Sequence, residues 1–349
     1  MTEATTRTRD CLAIDTAPRP LKDGFARTIT YLRLSVTDRC DLRCAYCMPE
    51  RMTFLPKREI LSLEELGDLA EAFVARGVTK VRITGGEPLV RRDVMILFER
   101  LGARLGPGAG QGLEELTLTT NATRLEHYAE ALAQAGVARV NVSLDTLDRT
   151  RFAKLARRDA LEQVLAGIRA AGRAGLRVKI NAVALADNVR ELPDLIRWAH
   201  GEGHDVTLIE VMPLGDVDAD RVAQYVPLTV VREKLEQRWT LADLPLSTGG
   251  PARYVTVSET GGRLGFITPH TNNFCAGCNR VRVTATGQLY PCLGGGERVD
   301  LRAALRSSHP AAALHDALDR AMQIKPERHD FHIGVPDATQ PRHMSVTGG

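Results

Sequence analysis

Apolar and polar residues alternate along Tyr31-Leu32-Arg33-Leu34-Ser35-Val36, the period of a strand. Helical and strand periods then take turns. Leu63 to Arg76 has helical spacing and stops at Gly77, and Lys80 to Thr84 reads as a strand. A helix over about 92–105 precedes a glycine-rich connection, Gly106 to Gly112, and a strand at Leu116 to Thr119. Helix Leu125 to Ala135 ends at Gly136. Strand Val140 to Leu144, helix Leu161 to Ala174, strand Val178 to Val183, helix Leu192 to Gly201 and strand Val206 to Val211 follow. Six βα units in a row predict an α/β protein with a parallel sheet and helices outside it. Periodicity alone allows a doubly wound sheet or an incomplete barrel. Cys40, Gly85-Gly86-Glu87, Thr119 to Asn121, Ser143 to Asp145, Asn181 and Glu210 to Met212 all fall at or just past strand C-termini. In a barrel those ends form one mouth, so the expectation is a partial, TIM-like (β/α)6 barrel.

From about Asp216 the rhythm changes. A short helix at Val230 to Trp239 and a loop at Leu244 to Pro251 precede two strands, Arg253 to Val257 and Arg263 to Ile267, flanking a Gly261-Gly262 turn. A strand at Arg280 to Thr284, a turn at Thr286-Gly287 and two weak helices, near Leu301 and at Ala311 to Met322, complete the pattern. The expected organisation is a mobile tail over 1–22, a barrel over 23–215 and a C-terminal α+β region over 216–349.

With 349 residues the chain can bury a sizeable core, and its composition is ordinary for a globular protein. A formal net charge of +3 argues against a coat for nucleic acid. There is no apolar run of membrane-spanning length and no secretory signal, so a cytoplasmic location with no membrane partner is expected. Seven cysteines, two tight clusters with Cys11 left over, suit metal ligation in a reducing compartment better than a disulfide framework.

The first cluster, Cys40-x3-Cys44-x2-Cys47, can aim three sulfurs at one small object. A [4Fe–4S] cube normally takes four cysteines, so three would leave one iron open and reactive. The competing reading is a zinc knuckle or a chance grouping. The spacing resembles the signature of the radical S-adenosylmethionine (SAM) enzymes, in which the open iron chelates SAM. Cys275-x2-Cys278-x13-Cys292 supplies three more thiols. By spacing alone this second set could hold zinc, with His270 as a fourth ligand, or a second cluster.

Cations occupy alternating strand positions: Arg33, Lys80, Arg82, Lys179, Arg280 and Arg282. Their apolar neighbours face helices, so in a barrel these side chains point inward. Asp145 and Glu210 are the obvious inward acids. Buried unpaired charge is costly, and a polyanion would balance it, since arginine suits phosphate. The competing reading has these side chains snorkelling to helix acids.

Leu32 to Cys40, Gly85-Gly86-Glu87-Pro88, Thr119-Thr120-Asn121, Asn141 to Asp145, Cys275-x2-Cys278-Asn279-Arg280-Val281-Arg282 and the terminal Gly348-Gly349 together resemble the molybdenum cofactor biosynthesis protein A family of radical SAM GTP 3′,8-cyclases. The likeness spans about Leu21 to Gly349. It implies two [4Fe–4S] clusters, on Cys40, Cys44 and Cys47 and on Cys275, Cys278 and Cys292. It implies SAM contacts from Tyr46, Gly86, Ser143, Met212 and Asn121. It implies GTP contacts from Arg33, Lys80, Arg82, Thr119, Lys179, Arg280, Val281 and Arg282, and a Gly348-Gly349 tail threading the site. The implied partners are GTP, an external electron donor and the next pathway enzyme, cyclic pyranopterin monophosphate synthase, with a homodimer among the assemblies the sequence allows and no nucleic acid. Two positions depart from the family pattern: Asp41 stands where asparagine is common, and Thr207 where many members carry an arginine. Rival readings are a peptide-modifying radical SAM enzyme and a non-catalytic iron–sulfur or zinc module. No peptide-docking domain or helix-turn-helix signal supports either.

Overall fold

The computed structural model describes residues 19–106, 112–217, 220–271, 274–329, 331, 333 and 342–348. The first half alternates β1 (Tyr31–Ser35), α1 (Leu63–Ala75), β2 (Lys80–Thr84), α2 (Met95–Gly102), β3 (Glu115–Thr120), α3 (Leu125–Gln134), β4 (Val137–Ser143), α4 (Arg149–Ala156), α5 (Leu161–Arg173), β5 (Arg177–Ala184), α6 (Leu192–Gly201) and β6 (Asp205–Glu210). Helix starts are written locally. Ser62 caps α1 in a reciprocal box with Glu65, and Asp148 accepts from the Arg151 N–H to open α4. Helix α5 buries Leu161, Val164, Ile168 and Ala171, one stripe at helical spacing. The short, polar α4 escaped the sequence reading because it buries only Phe152, Leu155 and Ala156.

Strands β1 to β6 lie in chain order and all pair in parallel. A doubly wound sheet reverses its order at a switch point; this one never does, so it is barrel-like. Leu32, Leu34, Val81, Ile83, Leu116, Leu118, Val140 and Val142 belong to the apolar core beneath the helices.

The second half is α7 (Arg221–Gln224), α8 (Leu228–Glu236), β7 (Leu241–Leu244), β8 (Arg253–Val257), β9 (Arg263–Ile267), β10 (Arg280–Val283), β11 (Gln288–Tyr290), β12 (Val299–Asp300), α9 (Leu301–Leu305), α10 (Pro310–Gln323) and α11 (Met344–Thr347). It widens the same sheet at both edges: β9 pairs in parallel with β6, and β10 with β1. Strands from both sides of the 215/216 position therefore belong to one continuous twelve-stranded sheet. Strands β7, β11 and β12 were not legible as separate elements.

Of the expected N-terminal tail, residues 1–18, with Cys11, lie outside the described residues. Residues 21 and 22 are not tail-like. Leu21 is fully buried, its N–H donates to the Arg76 carbonyl, and Lys22 bridges Thr28. Arg27, paired with Asp23, donates to the carbonyls of Cys275, Pro326 and Glu327, fastening this segment to the second cysteine loop. Among the described residues no helix is long and apolar enough to cross a membrane.

Candidate functional site: a cavity between two cysteine triads

Cys40, Cys44, Cys47, Cys275, Cys278 and Cys292, some 250 residues apart in chain position, line one cavity at the C-terminal mouth of the barrel. Tyr46, Gly86, Asn121, Ser143, Met212, Arg33, Arg82, Thr119, Lys179, Arg280 and Arg282 line it too.

The first triad follows β1 directly. Gly85, at φ +149°, and Gly86 let β2's end run against its base: the Gly86 N–H donates to the Thr37 carbonyl and the Glu87 N–H to that of Arg39. A Cβ on Gly86 would stand 2.2 Å from the Arg39 oxygen, so no other residue fits. Glu87 is fully buried and accepts from the N–H groups of Leu89 and Asn121 and from the Thr120 hydroxyl. Burial pushes its carboxyl up to about 7. Asn121, so held, donates to Asp41 at 2.8 Å and lies 3.7 Å from the Cys40 sulfur. Asp41 also accepts from the Thr123 hydroxyl, so this departure from the family pattern is absorbed by local hydrogen bonds. The Tyr46 hydroxyl donates to Asp145, which also accepts from the Val183 N–H; burial pushes the Asp145 carboxyl up to about 6.

Burial pushes all three thiols of this triad up, Cys47 to about 11 against the opposing Ser345 N–H. Buried thiols in this setting need a positively charged partner to ionise, which iron supplies. The second triad is different. Burial raises Cys278, but Arg280 and Lys325 outweigh it and bring the thiol down to about 7. Lys325, almost fully buried, donates to the carbonyls of Arg280 and Pro291 and lies 3.8 Å from the Cys278 sulfur. The His329 N–H donates to the Cys275 sulfur at 3.4 Å. His270, the candidate zinc ligand, instead sets Nε2 at 3.0 Å from the Val211 carbonyl and packs edge-on against Tyr225 and tilted against Phe331. Each donor set supplies the three cysteines that a thiolate-bound cluster with one open iron requires, while among the described residues no three His, Cys, Asp or Glu side chains are grouped to hold a single metal ion.

Below the triads the walls are cationic. The register aligns Arg282, Arg33, Arg82 and Thr117 across four strands, and burial holds the pKa of all three arginines down, Arg82 to about 10. Lys179 is held well below its usual range by burial and by Arg82 and Arg139. It donates to the Tyr254 hydroxyl at 2.6 Å. Thr207 is fully buried with an unpartnered hydroxyl. It crowds Gly265 together with the Tyr254 ring, so Tyr254 fills space beside the position where an arginine is common.

Some expected contacts lie elsewhere. The Val281 side chain turns into the apolar core and does not line the cavity. Lys80 sits a layer lower, paired with Glu115 at 2.5 Å and donating to the Thr248 carbonyl. Glu210 is not a cavity acid: it accepts from the N–H groups of Leu228 and His270 and from the Thr271 hydroxyl. Gly348 packs so tightly on Thr84 that a Cβ would stand 2.3 Å away, and its carbonyl accepts from Arg282. Gly349 lies outside the described residues. Lys325, Tyr254, Glu115, Phe274 and His329 carried no motif; only three-dimensional proximity reveals them.

This fold and this loop are those of the radical SAM superfamily, whose signature matches residues 34–199; that of Molybdenum Cofactor Synthesis C matches 204–331. Two solved structures share the fold: Streptococcus suis SuiB bound to S-adenosylmethionine (TM-score 0.60, 17% identity, 85% of this chain, 69% of that one) and anSMEcpe with bound AdoMet (0.55, 15%, 84% and 81%). Among sequences, the GTP 3′,8-cyclase of Erythrobacter litoralis is 68% identical over 95% of this chain and 100% of its own length. That of Bradyrhizobium diazoefficiens is 59% identical over 94% and 96%. The chain belongs to the GTP 3′,8-cyclase family.

Proposed function

We infer that the protein is a GTP 3′,8-cyclase that converts GTP to 3′,8-cyclo-7,8-dihydro-GTP in the first step of molybdenum cofactor biosynthesis. The observation that carries this reading is the single cavity that joins two three-cysteine sets to a floor of buried cations. Cys40, Cys44 and Cys47 would hold the cluster that binds SAM, and Cys275, Cys278 and Cys292 the second. With SAM bound and an external donor supplying one electron, the first cluster would provide the reductive radical chemistry that begins with hydrogen-atom removal from ribose.

The chain's own work is placement. Asp145, Glu87 and Asp41 make the first triad's surroundings acidic, suited to the sulfonium and amine of SAM. Arg280, Arg282, Arg33, Arg82 and Lys179 face the other side and suit a triphosphate. Arg282 divides its donors between this floor and the Gly348 carbonyl, so substrate and tail share one side chain. Phe274, with Arg280 5.2 Å from its ring centroid, and Phe331 wall the second triad against water. An external one-electron donor and transfer of product to cyclic pyranopterin monophosphate synthase complete the reading; a homodimer is compatible with it.

The test is anaerobic reconstitution. The protein should bind about eight irons by ligand count, and release 5′-deoxyadenosine only with GTP, SAM and a reductant together. Turnover on a peptide with none on GTP would reassign it.

A further inference from the structure

Tyr31 lies just before the Leu32 to Cys40 match, and the resemblance assigns it no contact. Its neighbours Leu32 and Leu34 join the apolar core, so Tyr31, Arg33 and Ser35 face the barrel interior. Tyr31 is fully buried, in register with Lys80 on one side and Arg280 on the other. Two residues along a strand is about 6.6 Å, so it lies one layer beneath Arg33. Its ring centroid is 5.0 Å from the Lys80 ammonium, 5.4 Å from the Arg82 guanidinium and 5.8 Å from that of Arg33. Tyr31 and Lys80 line a second cavity, of about 760 Å³, at the N-terminal end of the strands, and Thr248 lines both cavities. Tyr31 itself is absent from the upper cavity's lining, but its ring lies directly under Arg33 and Arg82, which do line it, so it forms part of the partition between the two.

Three buried polar atoms here lack a well-formed hydrogen bond: the Tyr31 hydroxyl and, one layer up, Arg33 Nε and Arg82 Nε, with the Arg33 guanidinium held close to Tyr31. Leaving such groups unpaired is costly, and far more so for charged ones. Lys80, itself a donor engaged by Glu115 and the Thr248 carbonyl, offers the arginine N–H groups no acceptor. What is missing is one compact anion with several acceptor atoms. Because the triads occupy the mouth, the polyphosphate end of a nucleotide is the part that reaches down. We propose that the Tyr31 hydroxyl donates a hydrogen bond to the terminal phosphate of the substrate and so helps distinguish a nucleoside triphosphate from a diphosphate. This deepens the GTP reading and rests on it. The surrounding potential agrees: burial raises the phenol's pKa, yet Arg82, Arg33, Lys80 and Arg280 bring it down to about 8.

Tyr31→Phe keeps the ring against the cations and removes only the donor. In reconstituted holoenzyme without reductant, equilibrium binding of GTP should weaken about 10- to 100-fold, the range for a hydrogen bond to a charged group. Binding of GDP should change less than about threefold, with iron content and Tm unchanged. Equal losses for both nucleotides, or no loss for GTP, overturn the assignment. If the phenylalanine variant loses iron, Tyr31→Met, also without the hydroxyl, must reproduce the split between the nucleotides, and failure there overturns it as well. Wild-type protein that binds neither nucleotide defeats the substrate reading itself, a result distinct from a Tyr31 variant that binds like wild type.

Discussion

Cys40, Cys44 and Cys47 come from one eight-residue loop, whereas Cys275, Cys278 and Cys292 are gathered from a tight turn and the far end of the β10–β11 hairpin. Their surroundings differ in sign. Burial, with smaller additions from Glu87, Asp41 and Asp145, raises thiol pKa values in the first triad, whereas in the second Arg280 and Lys325 outweigh burial and lower that of Cys278. One cavity thus has an acidic pole and a basic pole. Two ligands of opposite character, a sulfonium and a polyphosphate, can be sorted by field before any shape is read.

The hardest break is at the acidic pole. Cys44→Ala should abolish 5′-deoxyadenosine release while leaving about four irons per chain, the complement of one cube. Loss of all iron would instead make the two triads structurally interdependent. At the basic pole, Arg282→Ala should lower kcat/KM for GTP by about 100-fold, the scale for removing one partner of a desolvated charge contact. Cluster content should hold near wild type, and collapse of both clusters would mark Arg282 as structural.

A gentler change tests the sign of the acidic pole. Asp145→Asn keeps an acceptor for Tyr46 but removes the charge, and SAM affinity should fall about tenfold, within the range for a partly buried ion pair. Raising the pH through about 6 ionises Asp145, so wild-type SAM binding should strengthen across that interval. The variant should lack this inflection; a matching inflection in both would place the titration elsewhere. Smallest is Tyr254→Phe, which takes the acceptor from Lys179. About a threefold rise in KM for GTP is expected from one lost hydrogen bond, with kcat unchanged.

Much of the scaffold was legible because helix and strand periods are local. The observed β2 and α6 span the residues the pattern predicted, and the C-terminal-end polar residues do converge. The misses have physical causes. Val281 sits between two cavity arginines in sequence, but strand alternation turns it to the core. Glu210 reads as an inward acid, yet it is consumed by backbone donors from α8 and the 270–271 turn, which no local pattern links to it. Glu115, exposed to view only by register, proves to be the partner of both Lys80 and Arg139.

The sequence by itself determined the ligand chemistry: three thiols within eight residues, three more at a fixed spacing, and cations at alternating positions in several strands. Those are statements about neighbours along the chain, and local sterics enforce them. Only the tertiary structure decided that β10 closes onto β1, bringing the second triad over the first. It alone decided which cations are left without partners. Pairing across strands joins residues hundreds of positions apart, and a buried charge is satisfied or orphaned by whatever the fold places beside it.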